Sequence, residues 1–439
     1  MRPWDVTVIG GGILGTSIAY WLANRYNGRI ADLEKEAQVA QHSSQRNTGI
    51  VHRPFYLDPE KRHVFAKSAQ TAYSMWKAYA RERHLPWNPI GTFEVATRED
   101  QVPRLEAYYR WGQQNGMAPN ELELLTPDEV RQYEPHVRCH GALWSKTDTG
   151  VDYRLFTDSL QVDAEAQGAN FLMNSHVRDV RSRGDVIDIH LAGRSEPIQT
   201  RFLINCAGGG SIRIAHMLNV GQDYTDLNFR GEYWRVREDV AHLANHNIYS
   251  VPHHPELPFL DPHWVVRTYG QHEIGPNAVP VSGPYTYKGF FNNPVELIEK
   301  LTEPPVRNKL SLLFNLDFLD LAGQEWLSSI SKSAMARRVQ KFLPELNVND
   351  LTIPGTAGVR AAVIDRKGNF IKESIELDGP LSYHITNYNS PGATGAPAYA
   401  AYLVKTLESK GHLDHLKHAP SRSKSRWDFD VVCEAITAH

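Results

Sequence analysis

Val6-Thr7-Val8-Ile9-Gly10-Gly11-Gly12-Ile13-Leu14-Gly15 stands at the head of the chain, and an acid, Glu34, follows nineteen positions after the last of these glycines. The β-branched run reads as a buried strand, and Leu14, Ile18, Trp21 and Leu22 then recur at helical spacing. Gly10, Gly12 and Gly15 fall at the turn between strand and helix. Such a turn needs a residue free to take positive φ, a second glycine lets a pyrophosphate approach the backbone, and a third lets helix and strand pack closely. A phosphate there would lie on a helix N-terminus, where unpaired N–H groups and the helix dipole favour negative charge. Arg29 to Leu33 reads as a second strand, so Glu34 falls at its carboxyl end, within reach of ribose hydroxyls. These parts together predict a nucleotide cradle. They leave open whether the nucleotide belongs to NAD or to FAD.

Composition narrows the setting. A chain of 439 residues suggests roughly two to three domains. With 47 Lys plus Arg against 50 Asp plus Glu, no global field points to nucleic acid or to an anionic membrane. Cys139, Cys206 and Cys433 are widely spaced, with no C-x-x-C pair and no metal-ligand spacing, so a reduced, cytoplasmic protein without a metal is expected. The cradle begins within the first ten residues, which leaves no room for a signal peptide, and no run approaches the ~18 apolar residues of a spanning helix. Peripheral contact with the inner membrane face stays open, although no strong amphipathic anchor is visible. The residues from Gly411 onward, mixing His, Lys, Ser and Asp, read as a solvated tail.

Along the chain, Gln38 to Gly49 reads as a polar loop, and Glu60 to His84 as a helix whose stripe is Phe65, Ala69, Ala72, Trp76 and Tyr79. Gly91 to Val95 is a strand, Gln101 to Gly116 a helix, and Thr126-Pro127-Asp128-Glu129 a capped helix start. Asp152 to Gln167 reads as a helix, and Ala169 to Val177, Val180 to His190 and Ile198 to Asn205 as strands. The last of these ends in Cys206-Ala207-Gly208-Gly209-Gly210, small residues against which a ligand can lie. Phe229 to Arg237, Asn247 to Val251 and Trp264 to Thr268 have the content of a second sheet. Asn293 to Phe342 is mostly helical in pattern. Gly355 to Arg360, Val363-Ile364 and Ser382 to Thr386 return to strand, and Ser390 to Pro397 opens a final helix that runs to about Glu408.

Eight stretches carry a resemblance: Leu33-Glu34-Lys35-Glu36, Asn47-Thr48-Gly49-Ile50-Val51-His52, Gly150-Val151-Asp152-Tyr153-Arg154, Ile204-Asn205-Cys206-Ala207-Gly208, Phe229-Arg230-Gly231-Glu232-Tyr233, Gly275-Pro276-Asn277-Ala278-Val279, Ala357-Gly358-Val359-Arg360-Ala361 and Ser390-Pro391-Gly392-Ala393-Thr394. In their order and spacing, over about residues 5 to 408, they resemble the D-amino-acid oxidase-like group of FAD-dependent oxidoreductases, and within it the L-2-hydroxyglutarate dehydrogenase/oxidase family. The resemblance implies an α/β protein with a Rossmann-like FAD-binding domain assembled from residues 1–84, 146–220 and 346–410. A mixed β-sheet substrate domain, 85–145 and 221–345, would be inserted into it, and 411–439 would form the tail. It implies FAD held by Gly10, Gly12, Ile13, Leu14, Gly15, Glu34, Lys35, Thr48, Gly49, Val177, Ala207, Gly208, Gly358, Val359, Gly392, Ala393 and Thr394. The N-terminus of the last helix would face the flavin, where its free N–H groups favour negative charge. No cysteine lies in that loop and His52 does not match the family's histidyl link, so the FAD is expected to be non-covalent.

The same resemblance points to a reaction. Arg360 would anchor the substrate carboxylate, since a guanidinium pairs bidentately with a planar carboxylate. His52 would take the hydroxyl proton while the C2 hydride passes to the flavin, because imidazole titrates near neutrality. Strand alternation would send either Glu232 or Tyr233 into the cleft, with Tyr233 the candidate ligand. His253, His254 and His272 compete with His52 but have no motif support. Arg53-Pro54 replaces the small pair that usually follows the family's histidine, and Arg53 is a candidate for the distal carboxylate of a five-carbon diacid. The region Val281 to Lys341 is longer than the family pattern. The expected activity is oxidation of a 2-hydroxy acid, L-2-hydroxyglutarate first, with electrons passing to a quinone, oxygen or another acceptor. Oxidation of an amino acid, an amine or glycerol 3-phosphate is the alternative, and a non-catalytic flavoprotein subunit is a third reading.

Overall fold

The computed structural model describes residues 2–252, 261–292, 294–306, 331–419 and 426–438, together with 309, 323, 325, 327 and 329. The opening strand, Trp4–Ile9, lies inside an eight-stranded sheet, parallel to Ile30–Leu33 on one side and to Ile198–Asn205 on the other. Ala169–Leu172 extends the sheet beyond Ile30–Leu33. Ile198–Asn205 is shared: its first half pairs with the antiparallel hairpin Val177–Arg183 and Val186–Leu191, its second half with Ser382–Thr386, which carries Ile375–Gly379. Five of the six residues of Trp4–Ile9 are buried, as expected of a strand covered on both faces.

The helix Ile13–Arg25 is buried almost all round, which is why its apolar pattern is broad rather than a stripe. It packs on Gly392–Ser409, and Trp21 Nε1 donates to the Pro397 carbonyl at 2.7 Å. The helix His63–Arg83 crosses the same partner, with Trp76 Nε1 donating to the Thr394 carbonyl at 2.9 Å. Both indoles therefore fix the start of the last helix relative to the cradle.

A second eight-stranded sheet runs in the order Leu351–Pro354, Trp234–Val236, His272–Gly275, His263–Val266, Asn247–Ser250, Thr92–Val95, Ala142–Ser145 and Leu122–Leu125. A three-stranded sheet is formed by Val279–Val281, Thr225–Gly231 and Gly358–Ile364, and Ile50–Val51, Thr149–Gly150 and Asn88–Pro89 form a small one. The α/β architecture with a mixed-sheet second unit is the one expected.

Several boundaries differ from the sequence reading. Phe229 to Arg237 is two strands, broken at Gly231 where the chain passes from the three-stranded sheet to the larger one. A Cβ on Gly231 would lie 2.9 Å from Pro276 Cβ, so the crossing needs glycine. Ala169 ends its strand at Leu172, and Val177 begins the next hairpin after a turn in which Asn174 has φ of 54°. The return to the cradle sheet begins at Ile375 and not at residue 346, because Leu351–Pro354 and Gly358–Ile364 pair with strands of the second unit. Of the helical stretch expected over 293–342, Pro294–Thr302 and Lys332–Val339 are seen, and much of the remainder lies outside the described residues.

The tail reading is overturned. Lys417–His418 pairs with Tyr26–Asn27, and Phe429–Thr437 is a helix capped by Asp428, with Phe429, Val432, Cys433 and Ile436 buried in the main core. Phe429 packs edge-on to Trp21 beneath Arg25, and Arg426 pairs with Asp163 at 2.8 Å. Each such apolar side chain contributes about 1.5–3 kcal/mol by burial, so this segment is part of the cradle's foundation.

Candidate active site

The glycine turn is built as its residues require. Gly10 has φ of 114°, and a Cβ on it would sit 2.5 Å from the Cys206 carbonyl oxygen; a Cβ on Gly15 would run into the Gly10 carbonyl. Gly12 has an ordinary extended conformation, and its constraint is proximity: a Cβ would lie 3.1 Å from Ser44 Oγ, which accepts from the Ile13 N–H at 3.0 Å. Glu34 closes the turn, its Oε2 accepting from Gly11 N–H and its Oε1 from Glu36 N–H, both at 2.9 Å. Burial raises the Glu34 pKa, and these two N–H groups pull it back.

From this turn a single cavity of about 980 Å³ runs past Ala207 and Gly208 to the last helix and the edge of the second sheet. That volume is at the top of the range for small-molecule and cofactor sites, and at one end it meets a glycine turn packed so closely that a Cβ on Gly10 or Gly15 would strike backbone, the tight strand-to-helix turn a dinucleotide site requires. The residues present therefore fit an extended FAD. Gly10, Gly12, Ile13, Leu14, Gly15, Glu34, Lys35, Thr48, Val177, Ala207, Gly208, Gly358, Val359, Gly392, Ala393 and Thr394 all line the cavity. Gly49 is displaced from the wall. It takes φ of 72° and its carbonyl accepts from Val151 N–H at 2.7 Å, holding Thr48 in place from behind. A Cβ on Gly358 would run into the Arg46 carbonyl, and Ser43 Oγ donates to the Val359 carbonyl at 3.2 Å, so the 43–46 loop seats directly on the strand that carries Arg360. The first turn of Gly392–Ser409 brings the N–H groups of Ala393 and Thr394, which have no acceptor within the helix, to the same wall.

His52 stands where the cavity meets the second sheet. Its backbone N–H donates to Thr394 Oγ1 at 3.0 Å, tying it to the last helix. Its Nδ1 lies 3.0 Å from Asp148 Oδ2. Asp148 is fully buried and accepts from Thr92 Oγ1 at 3.0 Å, Ser145 Oγ at 2.6 Å and Arg53 N–H at 3.1 Å. A carboxylate so supplied with donors stays an acceptor, which places the imidazole proton on Nδ1 and leaves Nε2 to receive one. The rings of Tyr56 and Tyr249 meet the imidazole edge-on. Asp148 was not singled out from the sequence; its signal was its place in Thr147-Asp148-Thr149-Gly150, two residues ahead of a quoted motif.

Arg360 lines the cavity from the strand Gly358–Ile364, where it pairs with Phe229. Burial pulls its pKa below the ordinary value, the Tyr56 and Tyr233 hydroxyls favour its charge, and Arg62 opposes it. The choice between Glu232 and Tyr233 resolves in favour of the tyrosine: Glu232 is engaged by Arg230 and Asn277 at 2.8 and 3.0 Å, and Tyr233 lines the cavity with Arg267 over its ring at 4.7 Å. Burial raises the Tyr233 pKa, so it presents a neutral hydroxyl.

Arg53 is a correction. It is 2 % exposed and absent from the cavity wall. Its guanidinium bonds Glu121 and Gln70 at 2.9 Å each and packs over the Tyr73 ring at 4.0 Å. Extended backbone sends consecutive side chains to opposite sides, so once His52 faces the cavity its neighbour cannot. His272 stands edge-on to Trp264, away from the cavity, and His253 and His254 lie outside the described residues.

Two further cavity residues escaped the sequence reading. Glu94 follows Thr92 on the same face of its strand and is buried; desolvation first, then the neighbouring Asp148 and Asp261 carboxylates, push its pKa up to about 8. Alternation alone would put Thr92 and Glu94 on a solvent face, and only the cavity explains a polar pair turned inward. Arg62, at the start of His63–Arg83, also lines the cavity.

Cradle, cavity and the His52–Arg360 corner together define a flavin-dependent oxidoreductase, and the chain belongs to the FAD dependent oxidoreductase family, whose model matches residues 5–406. Among curated relatives, it is 30% identical over 413 residues to the mitochondrial L-2-hydroxyglutarate dehydrogenase of Caenorhabditis elegans, covering 92% of this chain and 93% of that one. It is 30% identical over 409 residues to the L-2-hydroxyglutarate dehydrogenase of Escherichia coli strain K12, with the same two shares. Among solved structures, the FAD-bound L-alpha-glycerophosphate oxidase of Mycoplasma pneumoniae superposes with a TM-score of 0.72 at 20% identity, over 98% of this chain and all of that one. Glycine oxidase from Geobacillus kaustophilus gives 0.67 at 16% identity over the whole of both chains. FAD is thus the cofactor, and the Rossmann-like fold expected from the opening stretch is the fold observed.

Proposed function

We propose that the chain oxidises a small 2-hydroxy acid, L-2-hydroxyglutarate first among them, to the 2-oxo acid. The observation that carries this reading is the His52–Asp148 pair, held by Thr394 to the same helix start that borders the flavin end of the cavity and sharing that cavity with Arg360. Bound FAD supplies a two-electron acceptor for the C2 hydride. Arg360 holds the α-carboxylate and so fixes which face of C2 is presented. His52 Nε2 takes the hydroxyl proton as the carbonyl forms, and Asp148 stabilises the imidazolium that results. Tyr233 contributes a neutral hydroxyl to the same end. The relatives that share most of their length with this chain carry the name L-2-hydroxyglutarate dehydrogenase, which supports the five-carbon diacid as the substrate to try first.

The test is anaerobic mixing of the purified holoenzyme with L-2-hydroxyglutarate, its D enantiomer, glycine, L-proline and glycerol 3-phosphate while the flavin absorption is followed. Bleaching by the L-hydroxy acid alone is expected; bleaching only by an amine or the phosphate ester would overturn the reading. FAD is taken as non-covalent, so acid precipitation should leave all the flavin in the supernatant. Among the described residues no helix is long and apolar enough to cross a membrane. Phe290, Phe291, Val295, Ile298 and Leu301 nevertheless expose apolar side chains close together in sequence, which supports peripheral membrane contact and a quinone as electron acceptor. Co-sedimentation with anionic vesicles checks this.

A further inference from the structure

Arg53 was the arginine expected to meet a distal anion, and its burial on the far side of the His52 backbone removes it from that role. Another cation occupies the wall. Arg62 lines the same cavity as Arg360 and lies close enough to it for the two positive charges to oppose each other. Its guanidinium packs over the Phe65 ring at 5.1 Å and, among the described residues, forms no ion pair; the carboxylate whose charge favours it is that of Glu373. It also precedes the first turn of His63–Arg83, whose N-terminal end carries the positive pole of the helix dipole. Burial lowers the pKa of both arginines, and two like charges on the wall of one partly desolvated cavity make that cavity favourable to anions. A ligand whose one carboxylate is held at Arg360 would leave Arg62, which forms no ion pair among the described residues, without a counter-charge.

We infer that Arg62 is a specificity-determining residue that binds a second anionic group, carboxylate or phosphate, of a substrate whose first carboxylate is held by Arg360. The site is therefore built for a short dianion and discriminates against the matching monoacid. This inference deepens the hydroxy-acid reading but does not need oxidation to be observed, since binding of a non-oxidisable ligand reports it. Arg62 was not visible in the sequence as a ligand because it sits between Lys61 and His63 in a charged helix start, where the ordinary expectation is a solvated face.

The experiment uses the holoenzyme and ligand-induced changes in flavin absorption. Butyrate, glutarate and 3-phosphonopropionate, none of which carries an oxidisable hydroxyl, are titrated into the wild type, Arg62→Gln and Arg62→Lys. In the wild type glutarate or 3-phosphonopropionate should bind more than tenfold tighter than butyrate, and whichever does identifies the second group as carboxylate or phosphate-like. Arg62→Gln should weaken that dianion by about 10- to 100-fold while changing the butyrate titration far less, and Arg62→Lys should recover part of the loss. Equal weakening of butyrate and the dianion, an unaltered dianion affinity in Arg62→Gln, or a wild type that does not prefer either dianion would each overturn the inference. Unaltered FAD absorption and circular dichroism in the variants separate a lost contact from a lost fold. If flavin bleaching by L-2-hydroxyglutarate fails while the dianion preference is present and Arg62-dependent, the hydroxy-acid reading falls and the dianion site stands.

Discussion

Replacing Glu94 by Gln removes an ionisation that the folded protein opposes. The side chain is buried on the cavity wall, and desolvation together with Asp148 and Asp261 moves its pKa from about 4.5 to about 8. In the unfolded chain the carboxyl loses its proton near its ordinary value, whereas the folded chain retains it until pH is near 8. Between those limits the folded state binds more protons than the unfolded one, so its stability falls as pH rises and levels off beyond the folded pKa. The interval is roughly 3.5 pH units, and at about 1.4 kcal/mol per unit the wild type gives up at most about 5 kcal/mol between pH 4.5 and 8 through this one group. Glu94→Gln keeps the shape and cannot ionise, so this component should vanish. Urea denaturation of wild type and variant at half-unit intervals from pH 5 to 9 measures it: the two midpoints should be close at pH 5 and diverge steadily in favour of the variant up to about pH 8. The same ionisation adds negative charge beside His52 and Asp148, so the wild-type KM for an anionic substrate should rise above pH 8 and that of the variant should not. Parallel pH profiles for the two proteins would refute the reasoning.

Three other perturbations follow from the same geometry. Asp148→Asn presents a donor to His52 Nδ1, favours the wrong tautomer, and should slow flavin reduction by about 10²- to 10⁴-fold with FAD still bound; a stopped-flow rate within threefold of wild type would remove Asp148 from its positioning role. Gly15→Ala drives a methyl into the Gly10 carbonyl, and the purified variant should show a markedly lower ratio of flavin to protein absorbance; full FAD occupancy would contradict the close packing described. Ile436→Ala should lower global stability by about 2–5 kcal/mol, read as a fall in the denaturation midpoint, because Ile436 is fully buried in the main core; no change would mean that the C-terminal helix is as dispensable as the sequence suggested.

What could be read in advance depended on how local the constraint was. Gly10, Gly15 and Glu34 were legible because a tight strand-to-helix turn and the acid after the next strand are set by a few neighbouring residues, whatever the rest of the chain does. His52 and Arg360 were legible through the resemblance, and the structure brings both to one cavity. Arg53 and Arg62 show where such reading stops. Nothing in local pattern says which of two arginines nine residues apart faces a cavity, since that depends on Glu121, Gln70 and Tyr73 arriving from elsewhere to satisfy one of them. Glu94 was missed for another reason: its strand was read without a facing, and a polar face can look into an internal cavity as readily as into solvent. The break at Gly231 and the late return at Ile375 are set by pairing between strands more than a hundred residues apart, which periodicity does not record.

The packing of Phe429–Thr437 and Gly392–Ser409 against Ile13–Arg25 also bears on how the protein is made. The glycine turn leaves the ribosome well before the strand beside it, Ile198–Asn205, and before the helices Gly392–Ser409 and Phe429–Thr437 that follow in the chain. A nascent chain therefore carries its nucleotide-binding sequence without the neighbours that give it shape until those helices have been made, and the cradle takes its full form only then.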